Sequence, residues 1–167
     1  DNYGAKISGF VTPSVSGNYT FFLRSDDASQ LSWSANSDPA GAFVIAIEDA
    51  CCNPFLEPDD PNNLGQTPGP VALTAGTKYY MEGLLKEGTG GDFFQVAWRR
   101  DGDTTPAADL LPIAGPEIST LANPAGAAVT ISEQPADVTV EAGRTATFSM
   151  AAEAFPQATA LSIQWQK

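Results

Sequence analysis

Ser16-Gly17-Asn18-Tyr19-Thr20-Phe21-Phe22-Leu23-Arg24-Ser25-Asp26-Asp27-Ala28-Ser29-Gln30-Leu31-Ser32-Trp33 is the stretch from which the rest of the chain is read outward. Ser16-Gly17-Asn18 is turn chemistry. Tyr19–Arg24 then carries aromatic or aliphatic residues toward both faces of an extended backbone. That predicts a strand buried on both sides, or one covered by a loop. Ser25–Ser29 is a polar turn, and Leu31-Ser32-Trp33-Ser34 alternates as the next strand.

The flanks repeat the pattern. Lys6–Val11, Phe43–Ile47, Val71–Leu73, Lys78–Leu85 and Phe93–Trp98 read as further strands. The glycine-rich Glu87-Gly88-Thr89-Gly90-Gly91-Asp92 predicts a hairpin between the last two. Glu48–Pro70 is a long Pro/Asn/Asp-rich loop, a length that usually signals function or disorder. The 15 Gly and 13 Pro of the 167 residues punctuate short β-branched and aromatic runs. These features predict an all-β chain built as an antiparallel sandwich.

Charge and composition exclude whole classes of function. Eight Lys and Arg against 20 Asp and Glu give a net charge of −12. Nucleic-acid binding needs clustered bases, and docking on anionic membranes needs basic patches. No apolar run approaches the ~20 residues that span a bilayer. Histidine is absent, which removes the usual general base, the Ser-His-Asp and Cys-His arrangements and most zinc sites. An autonomous enzyme is therefore not expected.

Residues 1–115 form one expected domain, 116–128 a linker rich in Ala, Thr and Pro, and 129–167 the start of a second domain. The first holds 15 acids and 6 bases, so most of the acidity is there. Cys51 and Cys52 are adjacent and cannot join distant strands. They are free thiols, pair with other chains, or bond to each other. In a secreted protein a vicinal disulfide is favoured over two buried thiols.

Four local features occur together in residues 1–115. They are Asn2-Tyr3-Gly4 leading to Ser8-Gly9-Phe10; Ser16–Phe21 running into Ser25-Asp26-Asp27; Leu73-Thr74-Ala75-Gly76 running into Tyr79-Tyr80; and Lys86–Asp92 running into Val96-Ala97-Trp98. This set resembles the PA-14 domain, a β-sandwich module found in bacterial surface proteins, glycosidases, toxins and yeast adhesins. The resemblance implies an extracellular, non-catalytic module that binds a glycan or a glycosylated surface, often with calcium, within a larger multidomain bacterial protein. A spacer without sugar binding and an accessory domain of a glycosidase are the alternatives.

In the adhesin branch of that family two adjacent aspartates joined by a cis peptide bind calcium, and a second loop adds a side-chain oxygen and carbonyls. The resemblance carries the first role to Asp26 and Asp27. It carries the second to the 87–92 loop, with Glu87, Gly90 and Asp92 as ligands. Taken without the family, Asp26-Asp27 reads as an ordinary polar turn and the glycines as an ordinary hairpin. A sugar would then meet the variable loop at Cys51, Cys52, Asn53 and Phe55, with Asp59, Asp60, Asn62 and Asn63 offering hydrogen bonds. The competing reading is that Cys51-Cys52 and Phe55 merely anchor the loop.

The tail resembles the first strands of an immunoglobulin-like domain. Gln134-Pro135 with Val138–Val140, Glu141-Ala142-Gly143 with Ala146–Phe148, and Gln164-Trp165-Gln166 match strands A, B and C. Such a sandwich needs ~100 residues. The chain therefore reads as clipped at both ends: either the remaining strands are lost, or a second copy or another chain supplies them.

Overall fold

The computed structural model describes residues 2–49, 51–121 and 128–155. It divides into two compact units, Asp1–Ser119 and Thr120–Lys167. Strands dominate both, and every pairing is antiparallel.

In the first unit β1 (Tyr3–Val11), β2 (Gly17–Ser25), β3 (Ala28–Trp33), β4 (Phe43–Glu48), β5 (Val71–Leu73), β6 (Tyr79–Glu87), β7 (Phe94–Arg100) and β8 (Ile118–Ser119) form two sheets. One has the order β4-β3-β6-β1-β8, the other β5-β2-β7. β8 pairs with β1 through Phe10↔Ser119 and Val11↔Ile118, so the first unit includes the start of the stretch read as a linker.

The sheets face each other across one core. Phe21 and Leu23 of β2 meet Leu31 and Trp33 of β3, Val11 of β1 and Tyr79 of β6, with Val96 and Trp98 of β7 packed against them. Side chains on a strand alternate between its faces. Phe22 accordingly points the other way, into a smaller cluster with Phe55, Ala97 and Ala107. The double-sided burial expected of Tyr19–Arg24 is thus met by an opposing sheet on one side and the 49–70 loop on the other.

Where the sequence predicted a hairpin, the structure has a crossover. β6 pairs with β1 and β3, while β7 pairs with β2 in the opposite sheet. Glycine and turn residues permit a reversal but do not specify which sheet receives the next strand. β2 and β3 also lie in different sheets, so Asp26-Asp27 is a second crossover. Ser25↔Phe94 and Ala28↔Lys86 register the four strand ends. Both crossovers therefore lie at the same end of the sandwich.

In the second unit β9 (Ala128–Glu133) pairs with β10 (Ala151–Phe155). Val138–Val140 and Ala146–Phe148, expected in strands A and B, lie outside any strand. Val129 and Ile131 are 63% and 46% exposed. A two-stranded ribbon buries too little to fix more of its own pattern. Gln164-Trp165-Gln166 lies outside the described residues.

Candidate functional site: a carboxylate cluster where two crossovers meet

Asp26-Asp27 leaves β2 under several constraints. Ser25 is fully buried, and its Oγ donates to the Asp27 carbonyl at 2.8 Å and lies 2.6 Å from Ser29 Oγ. Asp26 N–H donates to the Phe93 carbonyl of the other crossover at 2.9 Å, and Cys52 N–H donates to the Ser25 carbonyl at 3.1 Å. Asp27 has φ 61 and Cys52 φ 70. Among the described residues these are the non-glycine positions in the left-handed region, and both fall at this end. Such backbone outliers gather at ligand clamps and functional loops.

The carboxylates face the glycine crossover. Asp27 Oδ2 accepts from Gly88 N–H at 2.5 Å. A Cβ on Gly88 would stand 2.6 Å from Asp27 Oδ2, and one on Gly91 would stand 3.2 Å from Asp26 Oδ2. Any larger residue at Gly88 would push the aspartate out. These two glycines, rather than Gly90, line the cluster. Gly90 is exposed, with open space around it and φ 125.

Glu87 ends β6 beneath them. It is 2% exposed, and neither carboxylate oxygen has a hydrogen-bond partner among the described residues. Burial pushes its carboxyl above the usual range, and the charges of Asp27, Asp26 and Asp92 push it in the same direction. Asp92 is exposed and takes a 2.5 Å hydrogen bond from Tyr3 Oη. That bond is the main cause pushing the Tyr3 phenol up to about 12. Tyr3 sits opposite Glu87 in the β1–β6 register. The sequence marks Tyr3 only as part of Asn2-Tyr3-Gly4; its place at the cluster comes from pairing across 84 positions, which leaves no local mark.

Cys51 and Cys52 are joined in a disulfide, and both are exposed. Asp26 Oδ1 lies 2.9 Å from Cys51 Sγ and 3.2 Å from Cys52 Sγ. A disulfide sulfur has no hydrogen to donate, so these are close contacts and not hydrogen bonds. Asp26 and the two sulfurs are close enough to surround an ion, but the thiolate is the metal-binding form of cysteine. With the sulfurs oxidised, Asp26, Asp27 and Glu87 carry the carboxylate oxygens at this end, but among the described residues these three are not gathered closely enough to surround one ion as they stand. Oxygen donors suit a hard cation such as calcium. Glu87 remains a buried carboxylate without a partner among the described residues, next to the glycine crossover.

Phe55 was expected to touch sugar. It is 1% exposed, its ring 6.4 Å from that of Phe22. It anchors the loop to the outer face of the sheet, and burial keeps it from any ligand. Asn53 is half-buried. Asp60 Oδ1 accepts from Asn62 N–H and Nδ2, and Asn63 Oδ1 from the N–H groups of Gly65, Gln66 and Thr67. Asp60, Asn62 and Asn63 therefore brace their own loop, where the sequence reading had them available to hydroxyls. Asp59 is exposed.

No protein-family model matches the chain. It is similar to N-acetyl-β-glucosaminyl-glycoprotein 4-β-N-acetylgalactosaminyltransferase 1 of Mus musculus, 33% identical over 100 residues, which are 59% of this chain and 10% of that protein. It is also similar to mouse Fibrocystin-L, 31% identical over 96 residues, 58% of this chain and 2% of that one. The chain thus spans a tenth or less of these curated relatives. Among solved structures, it is similar to the Epithelial Adhesin 6 A domain from Candida glabrata in complex with Galβ1-3GlcNAc. The TM-score is 0.45 at 17% identity, covering 65% of this chain and 48% of that one. The Epithelial Adhesin 9 A domain from the same yeast, in complex with Galβ1-4GlcNAc, gives 0.44 at 18% identity, covering 60% and 46%.

Proposed function

We propose that residues 1–119 are a PA-14-type, non-catalytic carbohydrate-binding module of a secreted or cell-surface protein, organised around a calcium ion. The observation that carries this reading is Glu87: a carboxylate buried without a partner, surrounded by Asp26, Asp27 and Asp92. Like charges so placed repel, and a bound cation reverses the sign of that interaction. Asp26, Asp27 and Glu87 would hold the ion, with carbonyls of the 88–92 crossover nearby and Asp92 steadied by Tyr3. When bound, calcium supplies the neutralising charge and oxygen-seeking positions that sugar hydroxyls can fill. The exposed Cys51-Cys52 bridge offers a rigid apolar surface at the rim for the C–H face of a pyranose.

A glycan array probed with the full chain, with calcium and with chelator, tests this. Calcium-dependent binding to a defined set of glycans is expected. Silence on the array alongside intact calcium binding would instead leave a spacer stiffened by metal.

A further inference from the structure

Two arginines lie against aromatic rings on the outward face of the β5-β2-β7 sheet, and they are used differently. Arg99 lies over Phe22, with its guanidinium carbon 5.0 Å from the ring centroid, and forms a two-pronged pair with Glu57 at 2.8 and 2.7 Å. Arg24 has no carboxylate partner among the described residues. Its Nε donates to Gln95 Oε1 at 2.7 Å, and its guanidinium carbon lies 4.7 Å from the Phe55 centroid and 5.7 Å from that of Phe93. Its two terminal nitrogens have no hydrogen-bond or ion-pair partner among the described residues. The side chain is half-buried.

This arrangement sits beside the carboxylate cluster. Arg24 precedes Asp26 by two positions. Phe55 follows Cys52 in the cysteine loop, and Phe93 belongs to the glycine crossover and accepts from Asp26 N–H. The guanidinium is therefore bracketed by the two loops that rim the cluster. The ring contacts and the Gln95 hydrogen bond hold the guanidinium while leaving its terminal N–H groups unused among the described residues. A guanidinium edge with free donors matches a carboxylate or sulfate through two parallel hydrogen bonds. In a chain of charge −12, a half-buried cation held by neutral groups can still accept an anion from outside.

We propose that Arg24 is a specificity residue that selects acidic glycans, those carrying a carboxylate or a sulfate, at the rim of the carboxylate cluster. The inference rests on the carbohydrate reading above. Because the cluster itself repels anions, the selection requires calcium.

The test is a glycan array of the full chain in calcium, in which each core appears in neutral, sulfated, sialylated and uronate-bearing forms. It is run for the wild type, Arg24→Gln and Arg24→Lys. Acidic forms are expected to bind about 10-fold or more tightly than their neutral cores, the size of a charge-assisted pair. Arg24→Gln removes that margin and leaves neutral binding and the calcium-induced melting shift in place; Arg24→Lys retains part of it. Preference for sulfated over carboxylated members, or the reverse, identifies the anion. Equal binding of neutral and acidic forms overturns the inference while the carbohydrate reading stands. So does Arg24→Gln weakening all glycans alike, which would make Arg24 a cover for Phe55. No binding to any glycan ends both.

Discussion

Glu48 and Glu87 end neighbouring parts of one sheet, and both are buried. Glu48 receives a hydrogen bond from Gln66 Nε2 at 3.0 Å, so the protein itself supplies a donor. Glu87 receives none among the described residues and faces three aspartates. The same contrast holds between the regions around them. The 49–70 loop is closed internally: Phe55 enters the outer core, Glu57 takes Arg99 and the Ala107 N–H, and Thr67 Oγ1 donates to the Leu56 carbonyl. At the crossover end Asp27 and Asp92 each take one internal hydrogen bond, while Glu87 takes none among the described residues. A buried polar group without a partner costs stability unless something supplies one. The loop region thus serves the fold, and on the proposed reading the crossover region serves a ligand.

Substitutions should separate the two regions. The largest effect is expected at Phe55→Ala, which empties the outer core and should cost about 3–5 kcal/mol, equally with and without calcium. Denaturant unfolding under both conditions measures it; a loss confined to the calcium-bound form would erase the distinction. Asp27→Ala should abolish calcium stabilisation, which for the wild type amounts to about 2.7 kcal/mol at 100-fold excess over Kd, while leaving the metal-free protein folded.

Glu87→Gln should divide the two states. Its folded-state pKa is raised, so the metal-free protein loses stability as pH rises from the unfolded value through the folded one. Removing the charge should therefore raise the melting temperature of the metal-free protein at neutral pH and shrink the calcium shift. A lower melting temperature without metal would show that some internal partner holds the carboxylate.

The smallest effect belongs to the pair Glu57–Arg99, where the glutamate is 38% exposed. The hydrogen bond from Arg99 holds the Glu57 carboxyl below its usual range. Its stabilisation is therefore present above the unfolded value near 4.5 and fades as pH falls through the lower folded one. Glu57→Gln should cost about 1 kcal/mol or less after solvent screening. The difference from wild type should close in acid, irrespective of calcium.

Much of the sandwich was legible because period-two alternation and Gly/Pro punctuation are local signals. Phe21, Phe22 and Leu23 announced burial on both faces before either cover was known. What covers them was not legible, since Phe55 lies 33 positions away in a loop without periodicity. The hairpin expectation failed for a related reason: Gly88–Gly91 fixes that the chain turns, while hydrogen bonding to β2 fixes where β7 goes. Asp26, Asp27 and Glu87 were named through family resemblance. Their convergence on Gly88 and Gly91, the part of Tyr3 and the contact of Asp26 with Cys51-Cys52 depend on pairings between distant segments. Arg24 looked like any strand arginine until its neighbours were neutral rings and an amide.

Calorimetric titration of calcium into the full-length chain, wild type beside Asp27→Ala, tests the central claim most directly. Saturable binding of one ion by the wild type, absent from the variant, is the result this account predicts. Equal heats for both proteins, or none for either while the fold stays intact, would contradict it.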